Sequence, residues 1–175
     1  DLPASVQDLI QTPAPELPAG WVSVALPAGW SAALPGKPEV LEQTQESGPN
    51  KVPSKTHIRK VRSGEGLYML QWQQLLDPQA DWGIYFHKFV GGVQSSLTKR
   101  GLEITSETKT VSKRRGRQAL EVTFVAEAKE QGVRLEFHLC LVALGERWLF
   151  AQVYTPGKDA KALAAREVFF QSLTR

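Results

Sequence analysis

Three consecutive runs near the C-terminus constrain the fold more than anything else in the chain. They are "QALEVTFVAE" (118–127), "GVRLEFHLCLVAL" (132–144) and "RWLFAQVYTP" (147–156). In the first, Leu120, Val122, Phe124 and Ala126 fall at every second position, and in the second, Val133, Leu135, Phe137, Leu139 and Leu141 do the same. A period of two places each set on one face of a strand. The third run is apolar on both faces. Short Gly-containing turns, Lys129 to Gly132 and Gly145-Glu146, join the three into an antiparallel meander.

Upstream the period changes twice. "KTHIRKVRS" and "GLYMLQWQQLL", joined through Gly64-Glu65-Gly66, read as a hairpin with Tyr68, Leu70 and Trp72 on one face. Trp82, Tyr85, Phe86, Phe89, Val93 and Leu97 then recur at steps of three and four, the stripe of an amphipathic helix. Asp77 and Pro78 suit its start, and Gly101 suits its stop. Gly91-Gly92 lies inside that helix, which must pack closely there or bend. "LEITSETKTVS" forms a further strand before the meander, and residues 158–173 form a final helix with Ala162, Ala165, Phe169 and Leu173 on one side. Near the N-terminus "WVSVALP" and "GWSAALP" each read as a short strand ended by proline, while the polar, proline-rich stretch from Gly36 to Ser54 reads as a strand edge and a long mobile loop.

The pattern predicts an α+β fold: a central antiparallel sheet of about six to seven strands covered by two main helices. A chain of 175 residues fits one domain, here 21–175, preceded by an arm over 1–20 that Pro3, Pro13, Pro15 and Pro18 make stiff. The single cysteine, Cys140, excludes a disulfide within the chain. No apolar run approaches the ~18 residues of a membrane span. The opening "DLPASVQDLI" has no initiator Met and reads as a mature or trimmed product; an exported protein is expected, with a cytoplasmic one as the alternative.

One motif goes beyond pattern. Gly29, Trp30, Ser31, Leu34, Pro35, Gly36, Lys37 and Pro38 form a Gly-aromatic-Ser-x-x-Leu-Pro-Gly-Lys-Pro start. It is similar to that of bacterial proteins of unknown function with the PsbP-like fold. The order of the hairpin, "GGVQSSLTKRG", the Gly116-Arg117 turn, "RWLFAQVY" and the closing "FFQSL" agrees with that resemblance. The resemblance implies an α/β/α sandwich in a superfamily whose members mostly bind proteins, and it supplies no catalytic motif. Trp30 is then expected to anchor the first core strand, with Trp21 a local duplication pairing beside it or a coincidence.

Chemistry-bearing residues are sparse. Glu136, His138 and Cys140 share one strand face, yet such neighbours lie roughly 7 Å apart, beyond direct hydrogen bonding, so a thiol or hydrolytic enzyme using Cys140 and His138 is only the lesser alternative. His57, His87 and His138 lack the paired spacings of zinc sites, and no phosphate loop or Gly-x-Ser-x-Gly elbow occurs. No cofactor or metal is implied. Basic residues cluster twice: Lys51, Lys55, Arg59, Lys60 and Arg62, and then Lys113, Arg114, Arg115 and Arg117. If the clusters meet, they hold phosphate, an anionic surface or an acidic protein face. At a net charge of +3, with glutamates between the cations and no interleaved aromatics, specific nucleic-acid binding is not expected. The sequence therefore points to a non-catalytic module binding another protein through Lys113, Arg114, Arg115, Arg117, Lys60 and Arg62 or through the Gly36 to Ser54 loop, or alternatively to a chaperone or adaptor shielding an apolar segment of a secretion effector.

Overall fold

The computed structural model describes residues 16–47, 52–64, 66–74, 82–114, 117–144, 147–157 and 159–173. Its strands are β1 (Val22–Ala25), β2 (Ser31–Leu34), β3 (Glu39–Ser47), β4 (Val52–Ser63), β5 (Gly66–Gln74), β6 (Glu103–Arg114), β7 (Arg117–Ala128), β8 (Val133–Leu144) and β9 (Arg147–Pro156). Its helices are α1 (Trp82–Lys99) and α2 (Ala160–Gln171). Seven strands form one antiparallel sheet in the order β3-β4-β5-β9-β8-β7-β6. The predicted α+β class and its meander, β7-β8-β9, are both present.

Alternation along the meander builds two cores. Leu120, Val122, Phe124 and Ala126 of β7, Leu135, Phe137, Leu139 and Leu141 of β8, and Phe150 of β9 face α1 and pack on its Phe86, Phe89, Val90, Val93 and Leu97. The opposite parity, Cys140, Val142, Leu144, Leu149, Ala151 and Val153, joins Tyr68, Leu70 and Trp72 of β5. It packs against Phe169, Phe170 and Leu173 at the end of α2. Asp159 caps α2, its Oδ1 accepting from the Lys161 backbone N–H at 2.9 Å.

Three expectations change. The stretch from Gly36 to Ser54 is a hairpin over its described residues: β3 and β4 pair from Glu39↔Lys60 to Ser47↔Val52. An edge strand needs a partner on one side only, so its exposed Val40, Glu42 and Thr44 read locally as loop. Second, the two N-terminal strands stay out of the central sheet. β1 and β2 pair as a separate antiparallel ribbon, Val22↔Leu34 to Ala25↔Ser31, so the near-repeat around Trp21 does pair beside the Trp30 segment. Trp30, Ala32 and Leu34 are buried as anchors, and the Ala33 N–H donates to Ser172 Oγ at the end of α2 (2.7 Å). Third, Tyr85 leaves the α1 stripe and is exposed. The proposed helix start, Asp77 and Pro78, lies outside the described residues.

A one-residue irregularity decides which face β6 presents. Ile104 pairs with Ala126, but Ser106 pairs with Val125, a β-bulge at Thr105. Ile104 lies on the α1 face with Ala126. Beyond the bulge the parity is reversed. Ser106, Thr108, Ser112 and Arg114 are turned to the α2 face, and Val111 and Lys113 to the α1 face.

Candidate functional site: two polar clusters and an aromatic cleft

The sheet does not bring the two basic clusters together. Lys60 and Arg62 lie near the β4-β5 turn, whereas Arg114 and Arg117 close the β6-β7 hairpin at the opposite end. Four strands intervene. Lys60 is paired with Glu39 (3.1 Å) and Lys55 with Glu42 (2.5 Å). Arg59 lies over the Trp72 ring, 5.1 Å from its centroid, beside His57 stacked on the same ring. Arg62, Lys113 and Arg117 are exposed and make no ion pair among the described residues. Lys51 and Arg115 lie outside the described residues.

Arg114 has a different role from its neighbours. Turned inward by the bulge, it donates from Nε and Nη2 to the two carboxylate oxygens of Glu121, both at 3.1 Å. Ser112 Oγ donates to the same carboxylate at 2.5 Å, and His138 Nε2 lies 2.9 Å from it. Arg114 also reaches the Phe170 carbonyl (3.4 Å), and the His138 ring stacks on Phe170 at 3.9 Å. Burial opposes ionisation of Glu121, but hydrogen bonds from His138, Ser112 and Arg114 and the charge of Arg114 overcome it, holding the carboxyl at about 2. Every member of this cluster is occupied, so it locks β6, β7, β8 and α2 together.

Glu136, His138 and Cys140 share a face as the sequence predicts, but His138 is turned to Glu121, not to Cys140. Cys140 is fully buried. Burial, assisted by the nearby Glu121 charge and opposed by Arg114, pushes its thiol up to about 12. A thiol in that state supplies no thiolate near neutral pH, and no Cys140–His138 couple is formed. Among the described residues no group of three or more His, Cys, Asp or Glu is placed to hold a metal. No described helix is long and apolar enough to cross a membrane.

On the other face, the first turns of α1 are flanked by two clefts that meet at Phe86. One, of about 150 Å³, is lined by Gln71, Tyr85, Phe86, Phe89, Leu141, Trp148 and Phe150. The second, of about 170 Å³, includes Phe86, His87, Lys109, Val111 and Leu120. A single cross-strand row, Val111↔Leu120↔Leu141↔Phe150↔Gln71, runs beneath both. Its ends open to solvent: Val111 is 63% exposed, and on the helix Ile84 and Tyr85 are 54% and 56% exposed. The sequence showed the aromatic stripe that builds this surface. That Tyr85 and Val111 remain uncovered depends on the helix position and the bulge.

The fold and its clusters define an α+β domain with a seven-stranded antiparallel sheet between helices and a separate two-stranded ribbon. No protein-family model and no curated protein matches the chain. Among solved structures it resembles the crystal structure of PA94, a protein of unknown function from Pseudomonas aeruginosa, with a TM-score of 0.43 and 12% sequence identity over 90% of this chain and 98% of that one.

Proposed function

We propose that this domain is a non-catalytic binding module that takes an apolar segment of a partner protein along the α1 flank. The observation that carries the proposal is the pair of clefts that meet at Phe86, with an exposed apolar side chain at each. A chain that covers most of both sheet faces leaves Val111 in water at one cleft and Tyr85 in water at the other. Exposed apolar surface beside a polar rim is characteristic of interaction sites. The rim also specifies the occupant. Lys113 faces α1 at the end of the sheet where Trp148 lines the cleft, and His87 and Lys88 are exposed on the helix. An apolar segment flanked by acidic residues complements that arrangement. The proposal keeps the PsbP-like kinship suggested by the opening motif, and moves the recognition surface from a purely basic turn to an apolar row with a basic edge.

Synthetic peptides with one apolar core and either acidic or basic flanks, followed by fluorescence anisotropy, provide the test. The acidic-flanked peptide is expected to bind the intact domain. Val111→Asp with Tyr85→Asp is expected to weaken it by roughly tenfold or more, and Lys113→Glu to weaken it and flatten its salt dependence. Equal binding of the two peptides, or full affinity in the Val111/Tyr85 variant, would overturn the assignment.

A further inference from the structure

The α2 face carries a second polar cluster with the opposite character to the saturated one around Glu121. Glu136 of β8 is 16% exposed and is held by one long hydrogen bond, from Arg134 Nη2 at 3.4 Å, and by an ion pair with Arg166 Nη1 at 3.7 Å. Three buried side-chain polar atoms have no hydrogen-bond partner among the described residues: Arg134 Nε, Arg166 Nε and Thr155 Oγ1. All three belong to residues around this one carboxylate, since Thr155 is the cross-strand partner of Glu136 on β9. Buried polar groups are nearly always paired, so three orphans around a single weakly held carboxylate mark a place where partners are missing.

A cleft opens beside them, lined by Glu136 and by Arg166, one of the three residues with an orphaned atom. Ser106, Thr108, Thr123, Val125, Glu136 and Arg166 are among the residues that line about 190 Å³ between α2 and strands β6 to β8. The bulge at Thr105 is what turns Ser106 and Thr108 to this face, and such bulges commonly re-aim side chains beside binding sites. The cleft is smaller than the ~300 Å³ at which drug-sized pockets begin, so its occupant is a small molecule. Its lining carries one guanidinium and one carboxylate, ion-paired at 3.7 Å without a hydrogen bond between them, together with three hydroxyls.

We infer that this cleft is a binding site for a small zwitterion of the amino-acid class. The ligand carboxylate is received by Arg166, whose planar fork suits it. The ligand ammonium is received by Glu136, and the Ser106, Thr108 and Thr123 hydroxyls supply neutral hydrogen bonds. A lone anion would leave Glu136 facing it, and a lone cation would meet Arg166, so a molecule bearing both charges is selected.

Calorimetry on the intact chain, with glycine, L-serine and L-leucine as zwitterionic probes and acetate and ethylammonium as half-probes, tests the inference. At least one amino acid is expected to bind with unit stoichiometry, at least about tenfold more tightly than either half-probe. Glu136→Gln and Arg166→Gln are each expected to weaken it by about tenfold or more. Thr123→Val removes a lining hydroxyl without touching a charge and keeps the test usable if a charge variant fails to fold; a severalfold loss is expected. Amide chemical-shift changes on ligand addition are expected at Thr108, Thr123 and Val125 and not along α1. Absence of binding by all three amino acids, acetate binding as tightly as the best of them, or affinity unchanged in Thr123→Val would overturn the inference. None of these outcomes bears on the peptide surface of the α1 flank, which lies on the other side of the sheet.

Discussion

Arg114 illustrates how a residue that reads as surface charge becomes structural. In "KRRGR" it is one of four cations at a turn, but two of its guanidinium nitrogens are spent on Glu121. Replacing it with Gln leaves a mostly buried carboxylate short of a counter-charge, and a loss of about 2–3 kcal/mol in urea unfolding is expected. Lys113→Gln and Arg117→Gln, both exposed, are expected to change stability by less than about 0.5 kcal/mol. Neutralising the whole turn therefore confounds binding with folding, and Lys113, which faces α1, is the position with which to probe recognition. Glu121 also imposes a pH dependence. Its folded-state value of about 2 lies below the ordinary 4.5, so on acidification the unfolded chain takes up the proton first. The stabilisation is complete above about pH 5 and is lost as the pH falls towards 2, a contribution of about 3 kcal/mol. Unfolding free energies measured across that window are expected to fall more steeply in the native chain than in Glu121→Gln; parallel curves would show that the cluster does not hold the carboxylate ionised.

At the scale of elements, β6 and α1 each contain a residue-level choice with long reach. The Thr105 bulge changes the parity of the rest of β6. Deleting Thr105 would leave an unbroken ladder in which Ile104 still pairs with Ala126 and Ser106 with Val125, so Ser112 and Arg114 keep the α2 face and Glu121 keeps both; a change of less than about 1 kcal/mol is expected by chemical denaturation, and a larger loss would show that the bulge itself stabilises the strand. The sequence carries a trace of this bulge: Ile104 and Val111 both lie on the α1 face but are seven positions apart, which an unbroken strand cannot accommodate. In α1 the glycine pair neither packs closely nor breaks the helix. Gly91 and Gly92 are exposed, and an added Cβ at either meets nothing within 4 Å. Gly91→Ala and Gly92→Ala are each expected to raise stability by about 0.5–1 kcal/mol, seen as a higher midpoint in thermal melts. A decrease would mean that the glycines serve a contact beyond the isolated chain.

At the scale of the whole molecule, the sheet is a wall between two cores, with Cys140 buried in one of them. Because Cys140 is fully buried and its thiol is raised to about 12, labelling by a thiol reagent near neutral pH is expected to proceed only through unfolding, with a rate that follows denaturant concentration. Rapid labelling of the native chain would show local opening of β8. The same wall keeps the peptide surface and the zwitterion cleft on opposite sides and allows each to be tested alone.

The sequence by itself determined the elements whose residues repeat with a clear period. These are the β7-β8-β9 meander, the β4-β5 hairpin with Tyr68, Leu70 and Trp72, and both helices, because burial of a face imposes its spacing directly on the chain. It also placed Glu136, His138 and Cys140 on one face. It did not reveal β3, whose edge position leaves it polar, or the separation of β1 and β2 from the main sheet. Arg166 left a hint, a cation within the Ala162, Ala165, Phe169 side of α2. Only the tertiary structure decided what the charged residues do. Arg114 meets Glu121 across strands, and Glu136 meets Arg166 across layers, and such pairings depend on register, on one bulge and on where a helix lies. A carboxylate and a guanidinium carry no periodic signature of the partner they will meet, whereas an apolar face does.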